Sequence, residues 1–180
     1  GIEGEAATYY FGIFSHLILN QKDDFVFENR NRRPPKDAVN VMLSFVYSLI
    51  CNDMTSALET VGLDPYVGFM HTLRPGRASL ALDVMEELRA YLGDRLILSL
   101  INRKQITIKD FVKQGDESIV MTDSGRKTIL TAWQSRKKET ITHPYLNEKV
   151  SIGLLPYIQS MLLARFIRKD IDDYPVFLIK

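Results

Sequence analysis

A long helical pattern between Asp37 and Pro65 constrains the fold of this chain more than any other feature. Its apolar residues recur every three or four positions: Val41, Met42, Phe45, Leu49, Met54, Leu58 and Val61. Asp37 can cap the first turn, and Gly62 followed by Pro65 can end the last. The uninterrupted apolar stretch is shorter than the roughly 20 residues of a membrane span. We therefore expect a buried central helix and no membrane span.

Four more segments have helical spacing, and they predict a mainly α chain. They cover residues 5–19, 79–102, 126–138 and 154–169. Ser79 is placed to cap the second of them. The apolar spacing also predicts several core residues: Tyr9, Tyr10, His16, Tyr47 and Trp133.

Residues 106–122 have the alternating pattern of two short strands. The runs I-T-I-K-D-F-V and S-I-V-M-T are joined by Gly115 and Asp116, which predicts a small β-hairpin. At 180 residues, the chain has the size of one domain. We thus expect a single helical domain over residues 1–180, with a small β-hairpin near residues 106–122.

Composition is typical of a globular protein and says little about partners. Hydrophobic residues make up 46% of the chain and charged residues 25%, so a folded core is expected. The net charge is +1, so a nucleic-acid partner has to be argued from clusters of basic residues. Cys51 is the one cysteine, which excludes an internal disulfide and favours a reducing cytoplasm.

Four residues have the chemical types of a catalytic site: Glu3, His71, Asp83 and Glu86. Asp83 and Glu86 are three positions apart on a predicted helix, where Cβ atoms lie about 5 to 6 Å apart. Two carboxylates this close need a cation, and with an imidazole they would form a site suited to Mg²⁺ or Mn²⁺. The same spacing is typical of a solvated helix face that answers the helix dipole.

The run G-F-M-H-T-L-R-P-G-R-A-S-L-A-L-D-V-M-E-E-L-R, at residues 68–89, resembles the histidine and acidic signature of the CRISPR-associated integrase family Cas1. The opening G-I-E-G-E-A-A resembles the family's glutamate motif. Three further stretches are similar to the same family: R-R-P-P-K-D-A-V-N-V-M-L-S-F-V-Y, H-P-Y-L-N-E-K-V and D-Y-P-V-F-L-I-K. They occur in order over almost the whole chain, and the ending is most similar to subtype I-C.

This resemblance implies a metal site in a helical C-terminal catalytic domain. In the family a glutamate, a histidine and an aspartate bind a divalent metal, and the matching residues are Glu3, His71 and Asp83. Glu86 matches a fourth, supporting acid. Two neighbouring acids are rivals for these roles: Glu5 and Glu87. The β-rich N-terminal domain that precedes the glutamate motif in the family, and that builds the homodimer, is expected to be absent here.

The resemblance also implies an activity and partners. The reaction is phosphoryl transfer, in which a DNA 3′-hydroxyl attacks a phosphodiester and inserts spacer DNA into the CRISPR repeat array. If water is the nucleophile, the enzyme is an endonuclease. The partners are double-stranded DNA, as prespacer and repeat, and the protein Cas2. A non-catalytic helical module that binds DNA or protein is the alternative, and a small-molecule phosphohydrolase is disfavoured because no Gly-rich phosphate loop is evident.

Three clusters of basic residues could hold DNA phosphates: Arg30, Arg32 and Arg33; Arg74 and Arg77; and residues 136–138. Arg74 and Arg77 are the strongest candidates because they flank His71 and guanidinium binds phosphate in a bidentate way. Arg32 and Arg33 could equally anchor the R-R-P-P turn. For residues 136–138 an exposed helix end is the favoured interpretation.

Overall fold

Helices dominate the computed structural model, which describes residues 2–115 and 118–179, with side chains from residue 4 onward. Helix accounts for 55% of the chain and strand for 8%, which confirms the mainly α prediction. The chain packs as two compact units, residues 1–46 with 94–132 and residues 47–93 with 133–180. A single domain over residues 1–180 was expected.

The helices and strands follow one another in a simple order. They are α1 (Ile2–Phe14), α2 (Ala38–Thr60), α3 (Ser79–Arg89), α4 (Arg95–Asn102), β1 (Phe111–Gln114), β2 (Ser118–Met121), α5 (Asp123–Lys138), β3 (Thr140–Thr142), β4 (Lys149–Ser151) and α6 (Leu155–Ile167). A π-helical turn over Ala90–Asp94 connects α3 to α4. All predicted helical segments are therefore present, and the predicted helix over 79–102 consists of α3, this turn and α4.

Helix α2 has the ends that its sequence predicts. Asp37 Oδ1 accepts a hydrogen bond of 2.8 Å from the amide of Asn40, as an N-cap does. Gly62 has a φ of 80°, a left-handed conformation that glycine adopts without strain. This conformation lets the amide of Leu63 donate to the carbonyl of Leu58 at 3.0 Å, which completes a Schellman motif.

Helix α2 is 23 residues long and, by length and composition, could cross a membrane. The core helix of a soluble protein passes the same test. Seven of its apolar side chains have no exposed surface in this structure: Val39, Met42, Leu43, Val46, Ile50, Met54 and Leu58. The helix thus acts as a core helix here, and the absence of a membrane span stays a prediction.

Helix α1 buries only part of the face that its sequence predicts. Phe11 and Phe14 are buried, and their rings pack against Phe27 at centroid distances of 6.0 and 5.1 Å. Tyr9 is 79% exposed and His16 is exposed, so both predictions of a core position were wrong. Apolar residues lie on more than one side of this helix, so the sequence does not show which side is buried until the packing partner is known. The other predicted core residues are buried or half-buried: Tyr10, Tyr47 and Trp133.

Two antiparallel hairpins complete the described chain, and one of them was predicted. Strands β1 and β2 pair from Phe111 opposite Met121 onward, which confirms the hairpin near residues 106–122. Gly115 begins the turn with a φ of 69°, whereas Asp116 lies outside the described residues. The pairing of β3 with β4 was missed, because three-residue strands are too short to give an alternating pattern. A left-handed Asn147, with a φ of 57°, lies between them.

Candidate catalytic site

The loop of residues 65–78 is tied to the start of helix α3. The carbonyl of Pro65 accepts hydrogen bonds from the amides of Leu80 and Ala81, at 2.9 and 3.2 Å. Ser79 is the first helical residue and Ala78 occupies the N-cap position without a side-chain cap, so the predicted Ser79 cap was off by one residue. The loop carbonyl takes the free amides that a capping side chain would otherwise bind.

Asp83, on helix α3, binds the loop through both carboxylate oxygens. Oδ2 accepts hydrogen bonds from the amides of Phe69 at 2.6 Å and Met70 at 2.9 Å. Oδ1 accepts the amide of His71 at 2.9 Å and contacts Nδ1 of the same histidine at 2.6 Å. The Asp83 side chain is fully buried, with 0% exposed surface. A carboxylate has about four lone-pair positions, so these four contacts use its acceptor capacity.

Two opposing effects set the pKa of Asp83. Burial, the largest effect, raises the pKa. The hydrogen bonds from the Met70 amide, the His71 ring and the amides of Phe69 and His71 lower it, and together they outweigh burial. The pKa of Asp83 therefore lies below its usual value, and the side chain is a carboxylate at neutral pH.

His71 connects this buried carboxylate to the protein surface. Its side chain is 20% exposed. Because Nδ1 faces an ionised carboxylate, Nδ1 carries the ring proton in the neutral imidazole. Nε2 accepts no hydrogen bond from any residue in the described ranges 4–115 and 118–179. It is thus the nitrogen that is available to a ligand.

Glu86 and Asp83 have separate partners in this structure. Glu86 Oε1 is 2.7 Å from Arg89 Nη1, and the guanidinium of Arg89 lies 5.2 Å from the ring centroid of Tyr47. The two carboxylates were expected to need a shared cation. Instead Glu86 pairs with an arginine one turn further along α3, and Asp83 is satisfied by the loop.

Glu87, the rival for the role of Glu86, binds the C-terminal segment. Its Oε1 accepts from the hydroxyl of Tyr174, and its Oε2 accepts from Gln159 Nε2 at 3.0 Å and from the amide of Phe177 at 2.6 Å. Burial raises the pKa of Glu87, although these hydrogen bonds and the nearby His143 act to lower it. Sequence reasoning missed this network, because its members lie 72 to 90 residues away from Glu87.

The donor types, an imidazole nitrogen and carboxylate oxygens, fit a hard divalent metal. The arrangement of the described side chains does not by itself form a metal site. Among the described side chains, residues 4–115 and 118–179, no three His, Cys, Asp or Glu residues are grouped as a metal site. The side chain of Glu3 lies outside the described residues. His71 offers Nε2 to a metal. Because Asp83 contacts the other ring nitrogen, Nδ1, the two side chains could bind one ion together only if this contact opened.

The arginines that flank His71 are available to an anion. Arg74 is exposed and Arg77 is half-buried, and no described side chain or carbonyl accepts a hydrogen bond from either guanidinium. Arg32 and Arg33 are likewise exposed and take no described partner. The anchor of their loop is Arg30, which donates to Asn40 Oδ1 at 2.7 Å.

The basic residues at the end of α5 are used within the fold. Arg136 donates to the carbonyl of Tyr91 at 3.1 Å, and its guanidinium lies 5.1 Å from the centroid of the Tyr91 ring. Lys137 is 3.0 Å from Asp53 Oδ2. The interpretation of residues 136–138 as an exposed helix end is therefore wrong for the first two, which are half-buried.

Comparison with known proteins gives consistent relatives. Residues 1–135 match the sequence profile of the family described as CRISPR associated protein Cas1. The chain is 57% identical over 177 residues to CRISPR-associated endonuclease Cas1 1 of Chlorobaculum tepidum. This match covers 98% of this chain and 52% of that protein. It is 48% identical over 180 residues to CRISPR-associated endonuclease Cas1 of Leptospira interrogans, covering 100% of this chain and 70% of that protein.

Solved structures agree with these relatives. A Cas1 protein from Thermotoga maritima has a TM-score of 0.82 at 33% identity, covering 93% of this chain and 51% of that one. A casposase bound to integration product has a TM-score of 0.86 at 25% identity, covering 100% and 52%. A chain of a Cas6-RT-Cas1–Cas2 complex has a TM-score of 0.85 at 26% identity, covering 100% and 19%.

The chain spans about half the length of several of these relatives, including the one from Chlorobaculum tepidum. The profile match covers three quarters of the sequence, and the relative from Leptospira interrogans is matched over more than two thirds of its own length. This chain belongs to the Cas1 family of CRISPR-associated proteins.

Proposed function

We propose that this chain is the helical catalytic domain of a metal-dependent DNA endonuclease and integrase of CRISPR adaptation. In the proposed reaction, the 3′-hydroxyl of the spacer DNA attacks a phosphodiester of the repeat array. A new phosphodiester bond forms, and the oxygen of the broken bond leaves as a hydroxyl. The contact that carries the proposal is the 2.6 Å pair of His71 Nδ1 and Asp83 Oδ1, which points Nε2 away from the carboxylate. Relatives named endonucleases and a casposase bound to integration product support this assignment.

The proposed cofactor is Mg²⁺ or Mn²⁺, held by Glu3, His71 and Asp83, with Glu86 as a supporting acid. Asp83 would orient His71 while it contacts Nδ1, and it would become a ligand of the same ion only once that contact opens. A divalent ion supplies Lewis-acid stabilisation of the phosphate and lowers the pKa of the attacking hydroxyl or water. The contribution of the protein is orientation. Asp83 fixes the ring of His71 with Nδ1 protonated, so that Nε2 presents its lone pair outward.

Double-stranded DNA is the proposed substrate, and Arg74 and Arg77 are its proposed phosphate contacts near His71. Arg32 and Arg33 are further candidates, because both are exposed cations. We also propose Cas2 as a partner, which the Cas6-RT-Cas1–Cas2 complexes among the structural relatives support. A homodimer in the full-length protein is a further part of the proposal. Assignment to subtype I-C and a cytoplasmic location are part of the same proposal.

Removing both loop arginines should weaken DNA binding and reduce its dependence on salt. Arg74→Gln combined with Arg77→Gln removes two phosphate contacts, so the slope of log K against log salt should fall by about 1.8. Affinity for duplex DNA is measured by fluorescence anisotropy over a range of salt concentrations. Arg168→Gln, which removes an exposed arginine paired with Asp170, is the control. An unchanged slope in the double variant would remove these residues from the interface.

His71→Ala tests the proposed activity most directly. With Mn²⁺ present, cleavage and strand transfer on duplex DNA should fall by about a hundredfold or more, because the proposed nitrogen ligand is lost. His16→Ala is the matched control, since His16 is exposed and lies in another helical segment. Chelation by EDTA should abolish activity of the native chain. Activity that survives both EDTA and His71→Ala would contradict a metal site at His71, and a folded native chain without Mn²⁺-dependent activity would favour the non-catalytic module.

A further inference from the structure

The segment that carries His71 lies very close to the first turn of α3, and Gly68 is where the approach is closest. A Cβ atom at Gly68 would be 2.7 Å from Asp83 Oδ2 and 2.7 Å from both the backbone carbon and the Cβ of Ser79. These distances are shorter than Cβ atoms tolerate. Two of the three atoms belong to the rigid start of a helix, so they cannot move aside as a flexible side chain could. The φ of Gly68 is not in the left-handed region, so backbone conformation does not require glycine at this position. The lack of space for a Cβ atom does.

This close approach is what brings three successive amides to one carboxylate. The amides of Phe69, Met70 and His71 follow Gly68 directly and lie 2.6 to 2.9 Å from the oxygens of Asp83. Phe69 and Met70 are exposed, at 67% and 57%, so their side chains do not hold the loop in place by burial. The hydrogen bonds to Asp83 therefore hold residues 69–71 in place.

We infer that Gly68 is a positioning residue of the proposed catalytic site, which lets the loop sit on Asp83 and thereby fixes the orientation and tautomer of His71. We call the contact of residues 69–71 with Asp83 the seat of the loop. Its role in catalysis rests on the proposed function. All of the hydrogen bonds between this loop and Asp83 are made within the chain, so they can be tested without a metal. They leave Nε2 of His71 available to a ligand.

The histidines of this chain allow the seat to be observed directly. The sequence has three: His16, His71 and His143. His71 Nδ1 faces Asp83, so His71 should be the Nδ1–H tautomer. His143 Nδ1 accepts the amides of Tyr145 and Leu146 at 3.3 Å, and its Nε2 contacts Gln159 Oε1 at 3.1 Å, so it should be the opposite tautomer. His143 is thus an internal reference in the same spectrum.

The experiment compares Gly68→Ala with the native chain by ¹⁵N–¹H imidazole spectra of the metal-free protein. Spectra are recorded at successively higher pH until the ring signals no longer change, so that the neutral rings are compared. The native chain should show His71 protonated on Nδ1. In Gly68→Ala, His71 should move to a mixture of tautomers while His143 is unchanged. The affinity for Mn²⁺ alone, measured by electron paramagnetic resonance, should weaken about tenfold or more.

Gly12→Ala is the control, because Gly12 is in helix α1 and a Cβ there meets no atom within 4 Å. If Gly68→Ala does not fold, Asp83→Asn decides the question, since it keeps the volume but turns a donor toward the loop amides. A native His71 tautomer in every variant, or an Nε2–H tautomer in the native chain, would overturn the inference. Failure of the native chain to bind Mn²⁺ would instead count against the proposed function, while the spectra still test the seat.

Discussion

Replacing Asp83 by alanine is expected to lower metal-dependent DNA cleavage by a hundredfold or more, while it lowers the free energy of unfolding by only about 1 to 2 kcal/mol. The loss of activity follows from the release of His71, which would keep neither its tautomer nor its position. The stability cost is small because Phe69 and Met70 lie at the surface, where water can hydrate the released amides.

Initial cleavage rates with Mn²⁺ and thermal unfolding of the same samples separate the two effects. Amide hydrogen exchange should show loss of protection at residues 69–71 with little change elsewhere. Asp172→Ala, which removes an exposed carboxylate, serves as the control and should leave rate and stability unchanged. Native cleavage by a folded Asp83→Ala variant would contradict both the proposed site and its dependence on this carboxylate.

Replacing Glu87 by alanine is expected to have the larger effect on stability, about 3 kcal/mol, with a fall in melting temperature of roughly 6 to 12 °C. The change removes the acceptor for Tyr174, Gln159 and the amide of Phe177. Gln159 keeps the Tyr174 oxygen at 3.0 Å and the Pro175 carbonyl at 3.2 Å as acceptors, so the donors left without a partner are the Tyr174 hydroxyl and the Phe177 amide. The C-terminal segment would lose its attachment to α3.

Glutamine at the same position should be tolerated far better, because its oxygen can accept from Gln159 and Phe177 while its amide donates to the hydroxyl of Tyr174. The two variants also differ in pH dependence. Burial raises the pKa of Glu87, so its contribution to stability is full below about pH 4.5 and declines as pH rises through the folded pKa. Glu87→Gln should remove this decline.

Thermal unfolding from pH 4 to pH 8 measures both effects. Glu59→Ala, which changes an exposed glutamate on α2, is the control and should change stability by less than about 0.5 kcal/mol. Equal stability of Glu87→Ala and the native chain would show that the C-terminal segment is held by other contacts.

The helices could be predicted from the sequence because their signals are local. Apolar spacing and the ends at Asp37 and Gly62 located α2, and strand alternation located the hairpin of β1 and β2. The buried face of α1 could be predicted only in part, since the choice between Tyr9 and Phe11 depends on Phe27, which lies outside the helix. The hairpin of β3 and β4 could not be predicted, because strands of three residues are too short to show an alternating pattern.

The sequence by itself determined the mainly α fold and the candidate residues His71 and Asp83, because periodicity, capping and a family signature are properties of neighbouring residues. Only the tertiary structure decided how the acids of α3 divide their roles. Asp83 receives amides from 12 to 14 residues earlier, and Glu87 receives donors from as far as 90 residues later. Both side chains are carboxylates on the same helix, and they have different partners because folding brings different hydrogen-bond donors to each.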